Sequence, residues 1–413
     1  MNHFAGEHAA AVLGKTAIPH PSPLDRAKAI SGLIDAEALA AERLGRLTDS
    51  VAAAMLDANL FSILLPEADG GLGGTGVELF EAVEEIAHAD GSAGWCAAIS
   101  NAISSFVYKG ATARARHEVF GDGPVAFWAT LLPKALSVEE QGGYRVSGNF
   151  GWGSSSSLSC WVMVPARLED RDGKQWFRAH LVPKEDAEIK EGSWDVMGLR
   201  ATASIDYAIT DKFVPAHRAF EYPFLADANP QSPSAQGLIQ RGQPGIAAFA
   251  SGIGFRALDE LLAAAPKTKR LLAEGMQADD NVVQFGIGEL EGRLRAARGH
   301  YLDLVAEQDA IIAGGCAPDP ASVLDAQQAA QTLARAARDM TVFAFDNAGT
   351  TVVLATHPLQ RCLRDIFTGL KHAILTPTIL GADRQSAARP RLRRGGILAF
   401  RVTWSTASAA RQS

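Results

Sequence analysis

Four residues near the end of the chain are spaced to act together. In PLQRCLRDIFTGLKHAILTP, residues 358–377, Arg361, Asp365, Thr368 and His372 recur every three or four positions. At about 100° per residue they share one stripe of a helix, while Leu359, Leu363, Ile366 and Leu370 form an apolar stripe on the opposite side. Pro358 suits the first turn and Pro377 ends the helix. Such a polar stripe is either a wetted face or the lining of a site. In the second case His372 is its reactive group, because an imidazole switches between donor and acceptor near neutral pH and can orient or deprotonate a bound hydroxyl.

Two further stretches carry polar groups beside aromatic ones. In GGYRVSGNFGWGSSSS, strand alternation puts Phe150 and Trp152 on one face, Gly153 allows close approach, and Ser154, Ser155 and Ser156 follow. This is either a ligand contact or a serine-rich β-turn. WDVMGLRATAS, residues 194–204, adds Thr202 and Ser204, with Arg200 as a cation between apolar residues and an ion-pair partner in the first instance.

The elements that must position these residues are legible in outline. Ala-rich stretches such as DAEALAAERLGRLTDSVAAAMLDA predict helices in the first third, interrupted at LLPEADGGLGG. Short β-branched and aromatic runs separated by turn formers then predict a sheet of roughly 100 residues. After the Pro- and Ser-rich FLADANPQSPSAQG, long helices of bundle type return. The order gives an α+β chain with boundaries at 1–118 (helical), 119–222 (β), 223–383 (helical bundle) and 384–413 (a basic tail).

A chain of 413 residues, 47% hydrophobic and 21% charged, can bury more than one ordinary core and is not disordered. Residues 384–413 hold seven arginines and no acid, so the body is more acidic than the net charge of -7. That balance argues against nucleic acid as a partner. The apolar runs are too short for a membrane span and the N-terminus lacks a secretory pattern, so a cytoplasmic location is expected. Cys96, Cys160, Cys316 and Cys362 stand alone, which predicts reduced, mostly buried thiols and no metal site.

Three segments, in order, resemble the acyl-CoA dehydrogenase superfamily: LFSILLPEADGGLGG with EEIAHADGSAGW, then GGYRVSGNFGWGSSSSLSCWVMV with WDVMGLRATASIDYAITDKFVP, then LQRCLRDIFTGLKH. The resemblance implies a helical N-terminal domain, a central β-barrel or sandwich, a C-terminal four-helix bundle, a homotetramer, and a flavin between sheet and bundle. It implies flavin contacts from Phe150, Trp152, Gly153, Ser155, Arg200, Thr202 and Ser204. The ring needs polar partners along its edge and an apolar wall that keeps water away.

Dehydrogenases of this superfamily need a carboxylate base beside the flavin. The common position, eight residues after the Asp of the RD pair, is Ala373 here. The other base position falls in GIAAFASGIGFRALDELL, whose first half has no acid, while Asp259 and Glu260 come late. RDxxxxxxH instead resembles the two-component flavin-dependent monooxygenases related to 4-hydroxyphenylacetate 3-hydroxylase. These take reduced flavin from a separate reductase, let O2 add at flavin C4a, and transfer one oxygen to a small molecule. The resemblance implies His372 at the substrate and Ser154 at the oxygenated flavin, with Trp95 and Thr368 also lining the substrate. Phenol-hydroxylating relatives carry a second His where Ile103 stands, leaving Asn101 or Ser104 as polar alternatives and a less polar aromatic, polycyclic or heteroatom compound as substrate. In NVVQFGIGE, Gln284 and Phe285 keep part of a segment that holds the flavin diphosphate, but Val282 replaces its arginine, which favours FMN over FAD. The competing expectations are a dehydrogenase or oxidase with an unusual base and a non-catalytic binding protein on the same fold.

Overall fold

Polar caps and apolar spacing build the first helices: α1 (Pro23–Leu44), α2 (Asp49–Asp57), α3 (Gly76–Ala89), α4 (Gly91–Gly110) and α5 (Ala113–Phe120). Each starts on a side chain that accepts a backbone N–H, from Ser22, Thr48, Thr75, Asp90 and Thr112 in turn, worth about 1 kcal/mol apiece. The computed structural model describes residues 20–121, 123, 125–130, 133–168, 176–222, 233–269, 274–372 and 375. The Arg-rich tail, Ala373 and Pro377 lie outside them.

The sheet comprises β1 (Phe127–Ala129), β2 (Ala135–Glu140), β3 (Gly143–Gly153), β4 (Trp161–Leu168), β5 (Trp176–Pro183), β6 (Glu188–Lys190), β7 (Ile205–Pro215) and β8 (Ala219–Glu221). Its path runs β6-β7-β3-β2-β4-β5-β8, and one edge of β4 is shared by β1 and β2, both parallel to it. Alternation divides the side chains. Trp128, Val146, Phe150, Val164, Tyr207 and Val214 gather in the sheet's own core. Phe127, Met163, Leu181 and Phe220 face the other way and pack on Phe106, Val107 and Phe120 of α4 and α5.

Helices return as α6 (Pro233–Ala264), α7 (Asn281–Ala313), α8 (Pro320–Asn347) and α9 (Pro358–Gly369). The helix, sheet, helix order is the α+β arrangement read from the sequence. Helix α6 is the centre, packing on α3, α4 and α8, with Ile246, Phe249, Ile253 and Leu258 buried. Among the described residues no helix is long and apolar enough to cross a membrane, and no group of His, Cys, Asp or Glu is arranged to hold a metal. Cys96 and Cys362 are buried but Cys160 and Cys316 are exposed, so the expectation of mostly buried thiols holds for only half of them.

One element ends early. The helix expected to run from 358 to 377 stops at Gly369, where a Cβ would lie 2.2 Å from the Phe249 ring. Bonds from Lys371 N to Thr368 O (3.1 Å) and from His372 N to Gly369 O (3.0 Å) tighten the end into a turn. His372 therefore sits just past the helix and not on its face.

His180, buried in the sheet, donates from Nδ1 to Val164 O (3.3 Å) and faces the Ser137 hydroxyl at Nε2 (3.0 Å). Burial pushes its imidazole down to about 4. Below pH 6.5 the unfolded chain takes up a proton that the folded chain refuses, so this stability is full above 6.5 and is lost as pH falls toward 4. Urea denaturation should show the wild type losing about 2 kcal/mol more than His180→Asn between pH 7 and pH 5.

Candidate active site

A buried ionic joint brings three parts of the chain together. Asp90 caps α4 through Ala93 N (2.9 Å) and pairs with Arg361 Nε of α9 at 3.3 Å. One turn on, Asp365 Oδ1 accepts Leu199 N at 2.6 Å. The fit leaves no slack: a Cβ on Gly91 would lie 2.8 Å from Asp365 Oδ2, and one on Gly198 2.2 Å from Arg364 O. Next to it Arg364 pairs with Glu42 of α1 at 2.5 Å and donates to Met197 O at 2.7 Å. Arg361 and Asp365 are thus buried, and the expected polar stripe joins helix to sheet.

The hydroxyl residues assemble beside this joint. Trp95 Nε1 donates to Ser154 Oγ at 3.2 Å, Ser154 meets Ser204 at 2.8 Å, and Ser204 meets Thr202 at 2.6 Å. Thr202 Oγ1 donates to Leu199 O at 2.8 Å. Ser155 N donates to Thr202 O (2.9 Å) and Ser156 Oγ to Ala203 O (2.6 Å), so the two loops hold each other directly. Trp95 also packs edge-on against Phe249 and His372, with ring centres 5.0 and 5.4 Å away.

The backbone here is strained. Trp152, Ser155, Leu199 and Ala203 all have positive φ, between 46° and 67°. Non-glycine residues adopt that region at a cost and concentrate where a site demands it.

Charge is arranged unusually around these groups. Burial raises the Asp365 carboxyl to about 7, with Asp90 adding to the shift and the Leu199 N–H and Arg361 opposing it. Asp90 is raised by the same cause. Burial pushes the His372 imidazole down to about 4, so it is neutral at physiological pH. Among the described residues, three carboxylates of the neighbouring helices are paired: Asp259 with His88 (2.9 Å), Glu260 with Arg256 (2.8 Å) and Glu84 with Arg298 (2.6 Å).

Of the residues singled out in the sequence, the fold brings together Trp95, Ser154, Thr202, Ser204 and His372, with Ser155 buried beside Cys96. Others are used differently. An extra residue in β3 between Phe150 and Gly153 breaks the register with β7, so Phe150 and Trp152 do not share a face. Phe150 stacks on Tyr207 inside the sheet (4.8 Å), and Trp152 is 75% exposed. Gly153 makes room for Trp128, whose Nε1 would lie 1.6 Å from a Cβ there. Arg200 donates to Val196 O (2.9 Å) and pairs with Asp195 at 3.8 Å, the ion-pair role expected of it in the first instance.

Asn101 accepts Ile63 N (2.7 Å) and donates to Leu60 O (2.8 Å) and Ala97 O (2.9 Å), which makes it a brace. Ile103 packs with Leu65 and Phe106, and Thr368 Oγ1 donates back to Arg364 O (2.8 Å). Gln284 bonds Ala278 O (2.7 Å) and Phe285 is 73% exposed, both on the outer side of α7. Sequence reasoning missed Asp90 and Phe249. Asp90 reads locally as a helix cap, and nothing near it announces a partner at Arg361.

Residues 30–121 match the acyl-CoA dehydrogenase N-terminal domain family and residues 244–377 its C-terminal domain family. The chain is 28% identical to a pigment production hydroxylase of Rhodococcus erythropolis, over 89% of this chain and 98% of that one. It is 28% identical to HsaA, the oxygenase subunit of a flavin-dependent monooxygenase from Mycobacterium tuberculosis, over 82% and 88%. The crystal structure of HsaA superposes with a TM-score of 0.76 at 26% identity, covering 89% of this chain and 97% of that one. XiaF from a Streptomyces species, solved with FADH2 and glycerol, gives 0.81 at 22% identity over 88% and 95%, a likeness of fold.

The Asp365 joint makes a sharp prediction. Asp365→Asn keeps an acceptor for Leu199 N and removes the buried charge, whereas Asp365→Ala leaves that N–H unpaired and should cost about 1–3 kcal/mol. Because the folded carboxyl is raised, the wild type loses stability as pH rises from 4 to 7. Urea titrations should therefore show the Asn variant gaining on the wild type between pH 5 and pH 8.

Proposed function

The chain belongs to the acyl-CoA dehydrogenase superfamily, and on that premise we propose that it is the oxygenase component of a two-component flavin-dependent monooxygenase. It takes reduced flavin from a separate reductase, together with O2, and places one oxygen atom on a small aromatic or polycyclic molecule. The reading rests on one observation: the His372 imidazole packs edge-on against the Trp95 indole beside a row of hydroxyls, while, among the described residues, Asp90, Asp365, Asp259, Glu260 and Glu84 are committed to ion pairs or backbone N–H groups. Removing an α proton from a thioester needs a carboxylate free to take it. The residue at the usual base position is Ala373.

The donor set fits a flavin. Buried hydroxyls on two mutually braced loops suit the polar edge of an isoalloxazine, and the strained turns give a rigid seat. When bound, reduced flavin supplies the two electrons that activate O2. Ser154 is the hydroxyl turned to that ring. Trp95 and Phe249 wall the substrate side, and hydrophobic walls of this kind suit a flat apolar substrate.

His372 binds the substrate's polar group. Held neutral, it accepts or donates one hydrogen bond and orients the carbon to be oxygenated, without adding a charge to the pocket. These contacts involve the flavin ring alone, so FMN and FAD both satisfy them. Val282 in place of a cation favours FMN. Val282 and Phe285, both about three-quarters exposed on α7, favour burial against another copy in a homotetramer. A cytoplasmic site of action suits an enzyme fed by a reductase.

His372→Ala should lower product formed per flavin oxidised by at least tenfold and raise hydrogen peroxide in step, with His372→Gln less affected. Because the imidazole is neutral above pH 5, the wild-type coupling ratio should show no inflection near pH 6.5. Unchanged coupling in the Ala variant, or steady turnover of acyl-CoA esters with an artificial electron acceptor in the absence of O2, overturns the reading.

A further inference from the structure

The hydroxyl row beside Trp95 has two chemically fixed ends. An indole N–H only donates, so across 3.2 Å Trp95 gives its hydrogen to Ser154. A carbonyl only accepts, and of the three donors at Leu199 O, Trp194 Nε1 (3.0 Å), Thr202 N (3.2 Å) and Thr202 Oγ1 (2.8 Å), the hydroxyl is the nearest, so at the other end Thr202 gives its proton to Leu199 O. Each hydroxyl has one proton. With its own committed, Thr202 must accept from Ser204 across 2.6 Å. Ser204 then has none left for Ser154, so across 2.8 Å it is Ser154 that donates to Ser204.

The Leu199 carbonyl end sets this direction and the Trp95 N–H is compatible with it, and Ser154, Thr202 and Ser204 are all buried, away from bulk water that would scramble it. The result for Ser154 follows by counting. Its proton points to Ser204, and Trp95 fills one lone pair. The capacity left is for accepting one more hydrogen.

We propose that this one-way row sets the redox preference of the flavin site. It presents Ser154 to the ring as an acceptor, which suits reduced flavin, whose N5 carries a hydrogen, and opposes oxidised flavin, whose N5 has none to give. To donate to the oxidised ring, Ser154 would have to turn its proton out and break its buried bond to Ser204. The site thus holds the form that brings electrons and releases the spent one. Thr202 and Ser204 are positioning residues that act through Ser154. This inference rests on the reading of Ser154 as the hydroxyl that meets the flavin.

The test is the ratio of dissociation constants for oxidised and reduced FMN, measured without substrate and, for the reduced form, without oxygen, on the full chain. One hydrogen bond corresponds to roughly a two- to tenfold effect. Ser204→Ala and Thr202→Val should each lower the ratio by about that factor, chiefly by tightening oxidised FMN. The midpoint potential of bound FMN should fall in step, a tenfold change being about 30 mV for a two-electron couple. Thr202→Ser restores the donor to Leu199 O and should restore the ratio, and Trp95→Phe, which leaves the carbonyl end intact, should keep it.

A merely structural role would weaken both forms alike and leave the ratio unchanged, and that result overturns the proposal. Ser154→Ala separates the two readings. If it alters the ratio while the Ser204 and Thr202 variants do not, the row has no role but the contact stands. If it leaves both affinities unchanged, the contact itself is wrong and the row's role falls with it.

Discussion

The site depends on the bond between the Asp365 carboxylate and the Leu199 N–H, 2.6 Å long and buried. A desolvated carboxylate is costly unless charge and hydrogen bonds replace its water. Here Arg361 serves Asp90 directly and Asp365 at longer range, and backbone N–H groups of Ala93 and Leu199 supply the rest. The three segments in this joint also carry the chemistry. Helix α4 holds Asp90 and Trp95, α9 holds Asp365 and leads to His372, and the loop after Leu199 holds Thr202 and Ser204. Seating the joint therefore sets the imidazole, the indole and the hydroxyls against one another.

The loops gain their rigidity from redundancy. Positive φ at Ser155, Leu199 and Ala203 is unfavourable for each residue taken alone. It persists because Ser155 N to Thr202 O, Ser156 Oγ to Ala203 O and Leu199 N to Asp365 fix the same turns from several sides. Strain, hydroxyl order and the ionic joint thus describe one construction, in which few side chains can move independently.

Beside the Arg361–Asp90 pair, burial disfavours further charge. Burial holds His372 uncharged and raises Asp365 and Asp90, and Cys96 is pushed up to about 12 by the same cause. A site of this kind is suited to holding a reactive oxygen species away from stray protons and water while orienting an apolar substrate. It is poorly suited to chemistry that begins with a free carboxylate.

The order of helix, sheet and helix was legible along the chain, because periodicity and turn residues are local signals. The sequence also marked out Ser154, Thr202, Ser204, Trp95 and His372, because their motifs survive as short strings. Tertiary structure alone decided how they are used. The bulge in β3 turned Phe150 into the core and Trp152 outward, since one added residue reverses every side chain beyond it. The last helix ended at Gly369, packed against Phe249, which put His372 past its end and off its face. Partners of Asp90, Asn101 and Asp365 lie tens to hundreds of residues away in sequence, where no periodicity reaches, so only the folded chain shows which polar groups are braces and which remain for chemistry.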